Sequence, residues 1–395
     1  MTSDRTYQRT HPWLTFNLDL RQAGYKLWIA LGEAQSKCEH IAGVPLRPAT
    51  AQYLHRLFLA KGALATTAIE GNTLSEDEVM QLLEGKLHLP PSKEYLAQEV
   101  DNIISVCGDI FTRLTKGESG NVTPYIIADF NRSVLRNLTL PEKIIAGEVR
   151  TYEVSVGGYQ GAPAKDCPEL LEWLCAWLNG PDFQAPAGLE IVYGILKAIV
   201  AHLYLAWIHP FGDGNGRTAR LVEYQTLVAA GVPSPAAHLL SNHYNQTRQE
   251  YYRQLQIASQ SSSGVLSFVE YAVQGFVDGL REQLETIRAQ QWEVAWRNYV
   301  HEFFAEHPTD SVVRHRRRNL VLDLSTRTEP VPMSELSNIS FRVAQAYVRK
   351  SKRTLARDID ALEKDGLVVK VGKGYSANRG LILAFLPARR TQSRG

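Results

Sequence analysis

Apolar positions recur at near-helical spacing through most of the chain. Between 49 and 70, Leu54, Leu57, Phe58 and Leu64 keep this period and the pattern stops at Gly71-Asn72, which predicts a helix ending there. The run 75–85 opens with Ser75 three residues before Glu78, the spacing of a capping box, and closes at Gly85. A further helix is predicted over 92–115, followed by a loop, KGESGN, at 116–121. The period changes at 148–160, EVRTYEVSVGGYQ, where β-branched and aromatic residues partly alternate and end at Gly157-Gly158. That is the pattern of a short hairpin. GAPAKDCPELLEWLCAWLNG then reads as a loop running into a helix. The segment 191–208 is almost continuously apolar but barely long enough to span a bilayer. It carries Lys197 and His202 and reads as a buried central helix. SQSSSG, 259–264, is a short loop.

The C-terminal part has a different pattern. MSELSNIS predicts a short helix, SKRTLARDIDALEKDGL (351–367) a longer one, and LVVKVGKGYSANRGLILAF two strands around a glycine-rich turn. Helix, helix and hairpin in this order suggest a winged helix-turn-helix. Charge separates the same segment from the rest. Residues 311–395 hold 18 Lys and Arg against 7 Asp and Glu, so the net charge of +2 hides an acidic body and a basic tail. RHRRR at 314–318 adds four arginines. Lys352, Arg353 and Arg357 fall in the first half of the longer helix, and Lys370, Lys373 and Arg379 on the predicted wing. Duplex DNA and a protein surface are both open as partners for this tail.

With 395 residues and 44% hydrophobic content, the chain supports two or three domains. Cys38, Cys107, Cys167 and Cys175 are far apart, which fits neither a zinc site nor a disulfide framework. Together with the polar N-terminus, MTSDRTYQRTHPW, they lead to the expectation of a reducing, cytoplasmic setting.

Chemistry-bearing residues concentrate in HPFGDGNGRTAR, 209–220. Pro210 disfavours helix at His209, so the apolar helix ends there. Gly212, Gly214 and Gly216 allow tight turns and close approach of backbone N–H groups to a ligand. The following RTARLVEYQTLVAA is helical, so the loop feeds a helix N-terminus, where an anion is favoured. Arg217 and Arg220 lie on one face of the first turn and oppose the helix dipole, which is easiest to understand if an anion belongs between them. Asp213 is a hard oxygen ligand suited to Mg²⁺ beside phosphates. His209 can be neutral at physiological pH and so can accept a proton.

The stretch resembles the signature of the Fic family, His-Pro-Phe-x-Asp-Gly-Asn-Gly-Arg-x-x-Arg, at every position. The resemblance spans roughly 45–290 and includes the hairpin YEVSVGG and the pair Tyr251-Tyr252. It implies a mainly α fold with an N-terminal helical region (1–115) and a Fic catalytic core with a hairpin flap (116–290); with the pattern read above, a connecting helix or linker (291–310) and the winged helix-turn-helix (311–395) complete the expected domains. It implies transfer of AMP from ATP, with Mg²⁺, to a Ser, Thr or Tyr hydroxyl of a target protein. His209 would be the base, and Asp213 would hold Mg²⁺. Asn215 and the N–H groups of Gly214 and Gly216 would cradle the α-phosphate, while Arg217 and Arg220 steady the β- and γ-phosphates. Kinase-like relatives depart from the signature at the Asp and the third Gly, both kept here as Asp213 and Gly216. By the same resemblance Tyr252 would belong to the ATP site. Seven residues beyond it, where Asn often contacts adenine, this chain has Ser259.

TTAIEGN, 66–72, fits the family's inhibitory motif through Thr66, Glu70 and Gly71. The resemblance implies that Glu70 pairs with Arg220 and displaces it from the γ-phosphate. The hairpin, with Val154, Ser155, Val156 and Gly157, could add a strand to an extended target segment. Three other readings of the site stay open: removal of AMP from a modified target, transfer of another nucleotide or phosphodiester-linked group, and nucleotide sensing by a DNA-binding regulator. The target, self-modification and a homodimer are also open.

Overall fold

The computed structural model describes residues 5–260, 264–306 and 311–382. The chain divides into two compact units, Met1–Glu285 and Thr286–Gly395. The N-terminal helical region and the catalytic core, expected as separate parts meeting at 115/116, therefore share one unit.

The first unit is helical: α1 (Thr6–Thr10), α2 (Tyr25–Ala42), α3 (Pro48–Ala68), α4 (Glu76–Leu83), α5 (Glu94–Thr115), α6 (Pro124–Val134), α7 (Cys167–Leu178), α8 (Glu190–Ile208), α9 (Asn215–Ala229), α10 (Leu239–Gln246), α11 (Arg248–Ala258) and the first part of α12 (Gly264–Glu306). Its only strands among the described residues are β1 (Ser155–Val156) and β2 (Tyr159–Gln160), paired antiparallel across Gly157-Gly158. Both glycines have positive φ, as a two-residue hairpin turn demands. The expected hairpin is thus present but reduced to two residues per strand.

The local signals explain the element ends. Ser75 Oγ accepts from the Glu78 N–H at 3.3 Å, and Glu78 Oε2 accepts from the Ser75 N–H at 2.7 Å, completing the capping box of α4. Such a cap contributes about 1 kcal/mol. α8 is long and apolar enough to cross a membrane by length and composition, and it lies buried inside the unit. Ile195, Ile199, Leu203 and Trp207 enter one core with Leu221, Val222 and Leu227 of α9. Gly194 is needed there, since a Cβ at that position would run into the Ala230 side chain.

The second unit takes the end of α12, then α13 (Ser311–Leu324), β3 (Val331–Pro332), α14 (Phe341–Tyr347), α15 (Lys352–Lys364), β4 (Val368–Val371) and β5 (Gly374–Ala377). The strands form an antiparallel sheet in the order β3-β5-β4. Trp296, Val300, Leu320, Leu336, Ile359 and Leu362 share its core. MSELSNIS is not the expected α-helix. It gives only a 3-10 turn at Leu336–Asn338, and the helix begins after Ser340, whose Oγ accepts from the Val343 N–H at 3.2 Å. Of the stretch expected as a connecting helix or linker at 291–310, residues 291–306 are helical and continue α12, and the rest lies outside the described residues, as do 261–263 of the SQSSSG loop.

Candidate active site

The loop after α8 is braced from several sides. His209 closes the helix in the left-handed region, φ 50° and ψ 58°, with its N–H on the Leu205 carbonyl at 2.9 Å. A non-glycine residue there costs energy and persists only when its surroundings fix it. Arg150 does much of that fixing. Its buried guanidinium donates to the carbonyls of His209 (2.8 Å), Tyr152 (2.7 Å) and Ala162 (2.5 Å), and its N–H donates to the Pro210 carbonyl at 2.9 Å. Gly212 lies against the Tyr152 hydroxyl, where a Cβ would collide. Gly214 has φ 74° and caps α9. Asn131 of α6 donates to the Asp213 carbonyl at 2.8 Å and accepts from the Gly147 N–H at 2.9 Å.

Asn215 departs from its expected role. Its amide donates to the Phe211 carbonyl at 2.8 Å and accepts from the Phe211 N–H at 2.9 Å. The side chain is spent closing the loop, because a loop of this curvature leaves both Phe211 backbone groups without helical partners. What remains for an anion at this position is the backbone N–H at the start of α9.

His209 is half-buried beside the flap. Burial, the largest cause, pulls its pKa down to about 4, against an opposing carbonyl of Ala206. The ring is therefore neutral at pH 7. Nδ1 faces the Ala206 oxygen at 3.4 Å, so a proton held there leaves Nε2 as the acceptor. Gly161 packs on the other side, 3.0 Å from the His209 Cβ at the position a Cβ would take.

Both signature arginines are buried and each faces a carboxylate. Arg220 Nη2 donates to the Thr66 carbonyl at 2.9 Å and to Glu70 Oε1 at 2.5 Å. The residues of the 66–72 motif thus reach the site through the end of α3: Thr66 by its carbonyl, Glu70 by its side chain, and Gly71 by a turn with φ 105°. Burial raises the Glu70 pKa, but the Arg220 charge and hydrogen bond outweigh it, and the net shift is downward. Gly216 sits under this pair, where a Cβ would meet Glu70 Oε1. Arg217 Nη1 donates to Glu99 Oε1 at 2.9 Å, and Nη2 lies 3.4 Å from Asp213 Oδ1. Asp213 is 47% exposed and also accepts from the Gly214 N–H at 2.6 Å. Arg217 Nε and Arg220 Nε and Nη1 are buried donors without a partner among the described residues. Such donors are costly unless something accepts from them.

Behind Arg220 lies a buried network that the sequence did not reveal. His202 Nε2 pairs with the Tyr251 hydroxyl at 2.9 Å, His202 Nδ1 lies 3.1 Å from Glu223 Oε2, and the Tyr244 hydroxyl donates to Glu223 Oε1 at 2.9 Å. Tyr251 is buried, whereas Tyr252 is 45% exposed, with Arg248 over its ring. Ser259 Oγ donates to the Gln256 carbonyl at 2.9 Å. The residue lines a cavity of about 410 Å³ together with Trp13, Asn17, Leu18, Gln260 and Val265. The N-terminal segment that forms this wall is stitched to the flap: His11 Nε2 meets the Gln160 carbonyl at 2.9 Å, and Trp13 packs on Tyr159. Ser155, Val156 and Gly157 are exposed at the flap tip, with Val154 partly buried at its base.

Part of the basic tail is used internally. Arg316 and Arg317 donate to Asp358 at 2.7 and 2.9 Å, so two arginines of RHRRR serve the fold. Lys352, Arg353, Arg357 and Lys373 are exposed, and none has an ion-pair partner among the described residues.

Residues 121–227 match the Fic/DOC family. The chain is 31% identical over 194 residues to protein adenylyltransferase fic-1 of Caenorhabditis briggsae, covering 49% of this chain and 35% of that protein. It is 29% identical over 195 residues to protein adenylyltransferase Fic of Aedes aegypti, covering 49% and 36%. The matched part thus spans little more than a third of these relatives. A Fic family protein from Desulfovibrio desulfuricans superposes with a TM-score of 0.54 at 19% identity, over 91% of this chain and 98% of that one. Residues 134–508 of Fic-1 from C. elegans superpose with 0.53 at 24%, over 67% and 73%. The likeness to these structures is one of fold. A glycine-braced loop at a helix N-terminus, two buried arginines and the matching relatives lead to one assignment: the chain carries a Fic domain of the Fic/DOC family.

Proposed function

We propose that this chain transfers AMP from ATP to a hydroxyl of a target protein, and that Glu70 restrains the reaction. The observation that carries the reading is the set of unpartnered buried donors on Arg217 and Arg220, beside a neutral His209 at the N-terminus of α9. A triphosphate supplies the missing acceptors. In the reaction His209 Nε2 takes the proton of the target hydroxyl, whose oxygen bonds to the α-phosphorus. The bond from the α-phosphorus to the bridging oxygen breaks, and pyrophosphate leaves. Catalysis of this kind rests on positioning and charge stabilisation. The N–H groups of Asn215 and Gly216, at the start of α9, face the α-phosphate. The base occupies the cavity by Ser259 and Trp13, and an extended target segment pairs with the flap through Val154–Gly157.

Asp213 fits Mg²⁺ only as a nucleotide-borne ion. Its Oδ1 is engaged, Oδ2 remains, and no cluster of three metal-binding side chains occurs among the described residues. Mg²⁺ commonly uses one or two carboxylates plus substrate phosphates, and would neutralise charge there.

Auto-modification with α-labelled ATP tests the reading. Glu70→Gly frees Arg220 from a charge-assisted pair contributing about 1.5–3 kcal/mol, so transfer rises by about ten- to a hundredfold over wild type. Adding His209→Ala to Glu70→Gly removes about 10²–10⁴ of the rate. Arg220→Ala does not activate. Equal activity of Glu70→Gly and wild type overturns the restraint, and full transfer by the His209→Ala double variant overturns the base. A pre-modified target incubated with wild type reads the reverse activity.

For the second unit we propose contact with duplex DNA through Lys352, Arg353, Arg357 and Lys373. Their exposure without ion-pair partners among the described residues favours it over a purely structural role.

A further inference from the structure

Arg217 has a carboxylate of its own, supplied by a residue outside both sequence motifs. Glu99 lies on α5 and presents both oxygens to donors. Oε1 accepts from Arg217 Nη1 at 2.9 Å, and Oε2 accepts from Asn72 Nδ2 at 2.9 Å. The orientation of the Asn72 amide is not free. Nδ2 also donates to the Leu96 carbonyl at 2.9 Å, and Oδ1 accepts from the Leu74 N–H at 3.0 Å. Position 99 must therefore offer two acceptors at once. Glutamine offers one and sets its NH₂ against a donor whichever way it is turned.

The two arginine–carboxylate pairs differ in how firmly the acid is held. The Glu70 side chain is 36% exposed, and its hydrogen bond to Arg220 is its one side-chain bond among the described residues. It can leave without breaking anything else. The Glu99 side chain is 17% exposed, Arg217 is 5% exposed, and Asn72 clamps the acid to the backbone of α5 and of the turn after Gly71. Glu99 cannot swing away with its partner. It occupies Nη1 and leaves Nε without a partner and Nη2 with only the 3.4 Å contact to Asp213.

We infer that Glu99 is a positioning residue for the nucleotide. It fixes the Arg217 guanidinium through one nitrogen, leaves the other two for a phosphate oxygen, and through Asn72 joins that arginine to the turn that carries Glu70. Glu70 obstructs Arg220, whereas Glu99 preorganises Arg217. The inference rests on the nucleotide-binding reading of the site proposed above.

The test uses the full chain in a Glu70→Gly background. ATP affinity is measured by calorimetry, kcat and KM by transfer of labelled AMP, and Tm by thermal unfolding. Glu99→Gln weakens ATP about tenfold, the scale of one charge-assisted hydrogen bond, with Kd and KM rising together. Its kcat stays within about threefold and its Tm within a few degrees of the parent, a split that general loss of structure would not give. Asn72→Ala, which removes only the anchor, weakens ATP by a smaller factor and serves if Glu99→Gln folds poorly. Arg217→Ala and Arg217→Ala/Glu99→Gln bind ATP equally, because the acid acts through the arginine. Unchanged or tighter ATP binding by Glu99→Gln, or multiplying losses in the double variant, overturns the inference. A parent that binds ATP but transfers no AMP overturns the proposed activity and leaves the affinity arm decisive. A parent that binds no ATP overturns both.

Discussion

Among single residues, the histidines show most directly how burial sets chemistry. His209 is neutral at pH 7 because burial desolvates it, as the proposed role of base requires. His238 is buried more completely and lies outside the motif 209–220. It stacks on Tyr224 with ring centroids 4.5 Å apart, and its Nε2 has no hydrogen-bond partner among the described residues. Burial, aided by the charge of nearby His55, pulls its pKa down to about 3. The unfolded chain takes up a proton near the ordinary histidine pKa, while the folded chain does so only near pH 3. This group's contribution to stability is thus intact above about pH 6.5 and is lost as the pH falls toward 3. His238→Phe, similar in shape and lacking the titration, should reduce the slope of unfolding free energy between pH 6 and 4. The expected reduction is one proton's worth, about 1.4 kcal/mol per pH unit. Urea unfolding across that range measures it, and an unchanged slope would show that His238 is not held neutral.

The proposed restraint rests on elements as much as on residues. α3 ends on the Thr66 carbonyl and the Glu70 turn, and its approach to the segment before α10 is set by Gly62, which packs directly beneath the His238 ring. Gly62→Ala puts a methyl group into that contact. Overpacking of this kind costs about 1–3 kcal/mol, and α3 must shift to accept it. Denaturant midpoints should fall accordingly, and auto-modification should rise above wild type with Glu70 intact; a variant as stable as wild type would refute the packing. The sequence made some of these elements legible and hid others for physical reasons. The end of α3, the cap of α4 and the motif 209–220 were readable because their signals lie within a few consecutive residues. Arg150, Asn131 and Glu99 were not, since each reaches the stretch 209–220 from 59 to 118 positions away. Asn215 misled because its type suits a phosphate while its geometry serves Phe211. α14 was missed because a seven-residue helix shows less than two turns of periodicity.

At the scale of the whole molecule, the acidic and basic parts coincide roughly with the two compact units, although the division falls inside α12. The structure reduces the basic tail's free charge, since Asp358 holds Arg316 and Arg317. The remaining cations make a quantitative expectation. In the full chain, replacing Lys352, Arg353 and Arg357 by Gln should make the log–log salt dependence of duplex binding shallower by about 2.7, roughly 0.9 for each phosphate contact. Fluorescence anisotropy over a salt series reads the slope. No binding at low salt, or a slope unaffected by the three replacements, would leave that surface to a protein partner. The two arginine clasps have a wider consequence. The matched segment 121–227 contains Arg217 and Arg220, but Glu99 and Glu70 precede it. A gene fusion or transplant cut at those borders would carry two guanidiniums stripped of their counter-ions and of the helices that cover them. The smallest portable piece of this chain is therefore longer than its recognisable signature, and an engineer who trims to the signature would discard both carboxylates that the buried arginines face.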